Sequence, residues 1–235
     1  MSLFSKNNSS EFKELDAFSV FIDSLLIKDS YISHKEYSHQ FEDVQATFKK
    51  LSLMDDEKVL NAWCKQNKTE YRKLKYLLDK CKNAQTSIED HNEVYVKKHL
   101  EIDKEYLDHV LEKDDSKIKL DEEQRRVVLC DEDYTLVIAG AGAGKTTTIE
   151  AKVKYLVDKK GVNPDSILIV SFTRKATQEL RERFERLELP VNIATFHSIG
   201  NTIIKENENE THRIVDQGFM YDAIKEYLID RKSVV

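Results

Sequence analysis

Proline, cysteine and glycine are all scarce in this chain, and no apolar stretch is long. The longest apolar runs fall far short of the ~18 residues that a membrane span requires, and the N-terminal stretch has no signal-peptide pattern. The three cysteines, Cys64, Cys81 and Cys130, are odd in number, far apart and without a Cys-x-x-Cys pair. That excludes a disulfide framework and a zinc ribbon, and it predicts a cytoplasmic protein in a reducing compartment. Basic excess is missing too: 37 Lys and Arg stand against 43 Asp and Glu, a net charge of −6. Any nucleic-acid binding must therefore come from a local groove. With 40% hydrophobic and 34% charged residues, the composition is that of a globular chain. Only two prolines and six glycines occur, yet Gly140, Gly142 and Gly144 fall within five positions. That clustering is the first sharp signal.

Residues 1–115 carry helical periodicity. Phe12, Leu15, Phe18, Ile22 and Leu25 form one stripe. Tyr37, Phe41, Val44, Phe48 and Leu51 alternate by four and three, the spacing of a helical hairpin or coiled coil. A third stripe runs through Tyr71, Leu74, Leu78 and Cys81. Thr86 followed by Glu89 resembles a capping box, which predicts a new helix carrying Ile88, Tyr95, Ile102, Tyr106 and Val110 inward. Seven Lys/Arg with Tyr71 and Tyr76 lie between Lys65 and Lys82, which reads first as a solvated helix face. His91, His99 and His109 lack the i, i+4 spacing of a metal pair.

Beyond the charged stretch Lys113–Lys119 the character changes. Tyr134–Ala139 (YTLVIA), Ile167–Ser171 (ILIVS) and Val191–Thr195 (VNIAT) read as short buried strands, each followed by a helical pattern. Strands alternating with helices predict an α/β fold with a parallel sheet. The expected division is a helical region over 1–115 and an incomplete α/β region over 116–235.

Ala139-Gly140-Ala141-Gly142-Ala143-Gly144-Lys145-Thr146 sits between the first of these strands and a helix. Glycines let backbone N–H groups close around phosphate oxygens, and the helix adds its positive end. Lys145 is expected to reach the β/γ-phosphates and Thr146 to bind Mg²⁺, so ATP with Mg²⁺ is the predicted ligand. Upstream, Asp121 can cap a helix opening with Glu122-Glu123-Gln124. The amide of Gln124 can pair with both a donor and an acceptor on adenine, which would select ATP over GTP.

Two strand ends carry a second kind of chemistry. Phe172, Thr173 and Arg174 offer an aromatic face, a hydroxyl and a cation after one strand; Thr195, Phe196 and His197 follow the next with a similar mixture. Gln124, the glycine loop, SFTRKA and TFHS occur in order, and together they resemble successive motifs of UvrD/Rep-like superfamily 1 DNA helicases over about residues 118–204. The Ala at 139, where the strict loop has Gly, is usual in that group. The helical segment before the motor is similar to that of helicase IV-like proteins. The resemblance implies an incomplete P-loop NTPase (RecA-like) domain, an ATP-dependent helicase or translocase as the parent activity, and single-stranded DNA tracked by Phe172, Thr173, Arg174, Thr195, Phe196 and His197. Many relatives carry Arg where this chain has Thr147, so a purine-side contact at Thr147 departs from the pattern.

The motor also needs an acidic pair at a further strand end. After Ser198 only Ile214-Val215-Asp216-Gln217 approaches that pattern, and Gln217 replaces the needed Glu. The expectation is a fragment, truncated before the acidic motif, that binds ATP without hydrolysing it efficiently. A competing expectation, from helicase IV-like relatives whose helical arms engage RNA polymerase, is a non-enzymatic nucleotide- or polymerase-binding module. A small P-loop kinase would want a substrate lid and catalytic arginines that the TFHS region does not supply.

Overall fold

The computed structural model describes residues 9–54 and 56–207. The chain divides into two compact units, Met1–Val162 and Asn163–Val235. Asp216, Gln217 and the helix expected around Met220, Ile224 and Leu228 lie outside the described residues.

The first unit is helical. Helix α1 (Ser10–Leu26) opens on Ser9, whose hydroxyl accepts from the Phe12 amide at 3.3 Å. Helix α2 (His34–Ser52) opens where Glu36 reaches back to the Ser33 amide at 3.1 Å. Helix α3 (Glu57–Asn67) is capped by Asp56 and stops at Lys68, which turns into the left-handed region at φ 53°. Helix α4 (Tyr71–Ile102) runs 32 residues, and the short α5 (Lys104–His109) follows it. Helices α1, α2 and α4 pack on one another and α3 lies against α4. Their core is made of Phe12, Leu15, Ile22, Leu51, Leu74, Leu77 and Ile88, all essentially inaccessible to water. Each such side chain contributes about 1.5–3 kcal/mol by burial. Tyr37, Phe41 and Phe48 pack half-buried against that core, and the Phe18 and Phe41 rings meet at 6.0 Å.

Two expectations about this region are corrected. Thr86 opens no new helix: α4 passes through it without a break. A capping box needs the chain to enter from a non-helical residue. Here the buried stripe Leu74, Leu78, Cys81, Ala84 and Ile88 continues at helical spacing across the site. The helix breaks instead at Asp103, and the inward set changes accordingly. Ile88, Tyr95 and Val110 are buried, whereas Ile102 is exposed and Tyr106 half-buried.

Helix α6 (Glu122–Leu129) and helix α7 (Lys145–Asp158) complete the first unit and pack together, with α4 against α6. The carboxylates of Glu132 and Asp133 accept from the amides of His34 and Lys35 at 2.7 Å each, and so satisfy the N-terminus of α2. Asn92 of α4 closes two 2.8 Å hydrogen bonds with the backbone of Ile32. Asp103, 6% exposed, receives Lys159, His99 and the Tyr155 hydroxyl. Burial alone would raise its pKa, but the hydrogen bonds from His99 and Lys159 outweigh it and hold the carboxyl below its ordinary value.

Tyr134–Ala139 is not a strand. Residues 135–140 have no regular structure, and Tyr134, Leu136 and Ile138 are each more than four-fifths exposed. An extended segment has no backbone hydrogen bonds of its own, so it becomes a strand only beside another strand. Among the described residues none pairs with it.

The second unit holds the strands. After a 3₁₀ turn at Pro164–Ser166, β1 (Leu168–Ser171) pairs in parallel with β2 (Asn192–Thr195), Ile169 opposite Ile193. Helix α8 (Arg174–Arg186) crosses between them, and α9 (Phe196–Asn207) follows β2. Ile169 and Ile193 are buried on the sheet, as are Leu180 and Phe184 on α8, which packs on both strands. The described fold is thus mostly helical with a two-stranded parallel sheet.

Candidate functional site

In the first unit the glycine loop leads into α7. Gly142 and Gly144 both take φ +76°, a conformation that L side chains resist, and Gly144 is the residue that starts the helix. A Cβ on Gly140 or Gly142 would meet nothing within 4 Å, so the loop is open where an incoming group would approach. The Lys145 ammonium folds back onto the carbonyl oxygens of Ala139 at 3.0 Å and Gly140 at 2.6 Å. Thr146 stands exposed on the first turn, Thr147 is half-buried, and the Thr148 hydroxyl donates to the Gly144 carbonyl at 3.0 Å. The free N–H groups and dipole of a helix start, with a cation beside them, make a seat for an anion.

Gln124 lies against this loop. Its Oε1 accepts from the Asp121 amide at 3.0 Å, while Asp121 Oδ1 accepts from the Gln124 amide at 2.8 Å, the reciprocal cap that starts α6. Its Nε2 donates to the Ala143 carbonyl at 3.2 Å. Sequence placed Gln124 near a bound base; the structure brings it onto the loop backbone. Lys152, about two turns further along α7, is a residue that the motifs do not single out. Its ammonium donates to the Val128 carbonyl at 3.0 Å and to that of Cys130, the open end of α6. Burial lowers its pKa. A lysine seven residues after Lys145, facing the apolar side of the helix, was the available signal.

In the second unit, Phe172, Arg174, Thr195 and His197 line one cavity of about 500 Å³, together with Ser198 and Asn201. Phe172 is 87% exposed and Phe196 75%. Thr173 and Phe196 are not among its lining residues. Thr173 instead caps α8, accepting from the Ala176 amide at 3.1 Å. The Thr195 and Ser198 side chains exchange hydrogen bonds with each other's amides at 3.0 and 3.2 Å, which starts α9 at the strand end. Ser198 was legible as the fourth residue of a Thr-x-x-Ser cap; Asn201, one turn further, carried no such signal.

The UvrD/REP helicase N-terminal domain family matches residues 120–232, which include the loop, Gln124 and both strand-end motifs. Residues 120–232 are thus similar to that family. Similar proteins include a probable DNA helicase II homolog of Mycoplasma pneumoniae, 35% identical over 125 residues, or 50% of this chain and 17% of the relative. A probable DNA helicase of the same organism is 44% identical over 94 residues, 37% of this chain and 18% of that protein. The ATP-dependent DNA helicase PcrA of Staphylococcus aureus is 32% identical over 124 residues, 47% of this chain and 17% of the relative. The match thus spans less than a fifth of these helicases. No helix among the described residues is long and apolar enough to cross a membrane.

Proposed function

We propose that this chain carries the ATP-binding front part of a DNA helicase or translocase motor that acts on single-stranded DNA. One observation supports it above the others: an open glycine loop, with Lys145 and Thr146 at a helix start, lies inside a UvrD/REP-type segment. Ala139–Gly144 would surround the triphosphate, and Lys145 would leave the two loop carbonyls it now holds for the β/γ-phosphates. The Thr146 hydroxyl would hold Mg²⁺, whose chemistry is to neutralise charge on the phosphates. Gln124 and Thr147 would stand toward the base. Residues 116–235 would form part of a P-loop (RecA-like) domain, preceded by the helical residues 1–115. Phe172, Thr173, Arg174, Thr195, Phe196 and His197 would face the DNA, the exposed rings stacking on bases at about 1–3 kcal/mol per base. The three cysteines are free thiols, in keeping with a cytoplasmic protein.

Within these 235 residues the motor chemistry is incomplete, so the chain binds ATP without rapid turnover. Binding that stabilises ground and transition states alike does not accelerate a reaction. Asp216 is the one candidate acid, and Gln217 beside it cannot orient water as a carboxylate does. Calorimetry with Mg·ATP on the wild type and Lys145→Ala tests binding: unchanged affinity in the variant removes the phosphate-loop assignment. A steady-state ATPase assay with and without single-stranded DNA tests turnover. Robust DNA-stimulated hydrolysis abolished by Lys145→Ala would show that the chain contains its catalytic acid after all.

A further inference from the structure

We infer that the outward face of helix α4 is a contact surface for duplex DNA, held through the phosphate backbone and without regard to base sequence. The inference takes from the proposed function only that the chain works on DNA; its residues lie outside the 120–232 segment that the family matches. The segment Lys65–Lys82 holds seven Lys/Arg and two acids in a chain whose net charge is −6, and the structure sorts those cations. Leu74, Leu77, Leu78 and Cys81 turn one side of α4 into the bundle core. On the flanks, Lys73 pairs with Asp16 of α1 at 2.9 Å and Lys80 pairs with Asp23 of α1. On the side away from the core, Arg72, Lys75 and Lys82 are exposed, and none of them forms an ion pair among the described residues. Spacings of three and seven put these three on one face of the helix. They make a row about 15 Å long at 1.5 Å per residue. Asp79, the one acid between Arg72 and Lys82, stands exposed in the same row.

The chemistry of this face favours a duplex backbone. A protein cation set against a phosphate frees the counterion condensed there, the sequence-independent term that drives DNA binding. Such contacts position a duplex and carry no sequence information. A single strand gains instead from rings that stack on its bases. Tyr76, the exposed ring beside the row, has the Lys80 ammonium over one face at 5.7 Å from the centroid, so that face is closed to a base. The exposed rings proposed for stacking, Phe172 and Phe196, are in the second unit. The helical face offers charge without them.

The test is fluorescence anisotropy of a labelled blunt duplex two helical turns long, and of an oligo(dT) single strand, titrated with the whole chain at several salt concentrations without nucleotide. Arg72→Gln, Lys75→Gln and Lys82→Gln together are expected to weaken duplex binding roughly three- to a hundredfold. They should also flatten the log–log salt dependence by about 2 to 3, since each lost phosphate contact takes about 0.9 from the slope. Asp79→Asn, which removes the acid from the row, is expected to tighten duplex binding about two- to fivefold. Lys13→Gln, Lys35→Gln and Lys49→Gln, exposed lysines elsewhere on the bundle, control for net charge and are expected to leave the slope unchanged. Unchanged duplex affinity and slope in the α4 triple variant overturn the inference, and so does an equal loss on the single strand. If that variant melts early by circular dichroism, Asp79→Asn decides: a gain in duplex affinity supports the surface and no gain overturns it. Oligo(dT) binding by Phe172→Ala with Phe196→Ala reads the proposed strand-end contacts separately, so a failure there leaves the duplex result to decide this surface.

Discussion

The helical bundle and the strand-forming segments use similar apolar residues to opposite effect. In the bundle, Leu15, Leu74 and Leu77 are at most 1% exposed, whereas Leu136 is 85% and Leu168 53% exposed. The difference follows from how each element satisfies its backbone. A helix closes its own hydrogen bonds and needs only one face covered, which a neighbouring helix supplies. A strand needs partners at both edges and cover on its faces, so a two-stranded sheet or a lone extended segment leaves its side chains open.

The comparison breaks first in the bundle. Leu77→Ala should cost about 2–5 kcal/mol in denaturant unfolding, the range for emptying a packed core site; a loss under 1 kcal/mol would mean the bundle is loosely packed. In the second unit, Thr173→Ala removes the cap of α8 and should cost about 1 kcal/mol in a DNA-free thermal melt. An acid titration sharpens the picture of the bundle surface. Glu11 is held down to about 2, chiefly by its hydrogen bond from Lys50. Its folded pKa is depressed, so its contribution is present above the ordinary 4.5 and fades as pH falls toward 2. Circular dichroism should show that loss in the wild type and less of it in Lys50→Met. The smallest expected effect lies in the exposed segment: Leu136→Ser should change stability by no more than about 0.5 kcal/mol while raising solubility. A large destabilisation would show that Leu136 is covered after all, and the contrast between the regions would fail.

Local signals in the sequence were reliable where the chain itself meets the requirement. The stripe from Phe12 to Leu25, the Asp121 cap, the glycine turn into α7 and the parallel pair β1–β2 all appear at their expected places. Thr86 misled because the same residue types serve as caps and as ordinary helix surface, and only the preceding chain direction separates the two. Tyr134–Ala139 misled because apolar content reports an appetite for burial and says nothing of whether a neighbour is there. At the candidate site, residue identity singled out Lys145 and Thr146 for a proposed role, but the partner of Gln124 depended on how α6 is set against α7, a tertiary relation no spacing encodes.

Helix α4 has a mechanical consequence. Thirty-two residues make a rod about 48 Å long at 1.5 Å per residue. Its N-terminal part is embedded among α1 and α2 through Leu74, Leu77 and Ile88, and its C-terminal part carries Glu93, the partner of Arg126 on α6. No proline or glycine interrupts it, so it bends little between those two points. A tilt imposed at the bundle end is therefore delivered as displacement at α6, as with a lever whose short and long arms share one stiff beam.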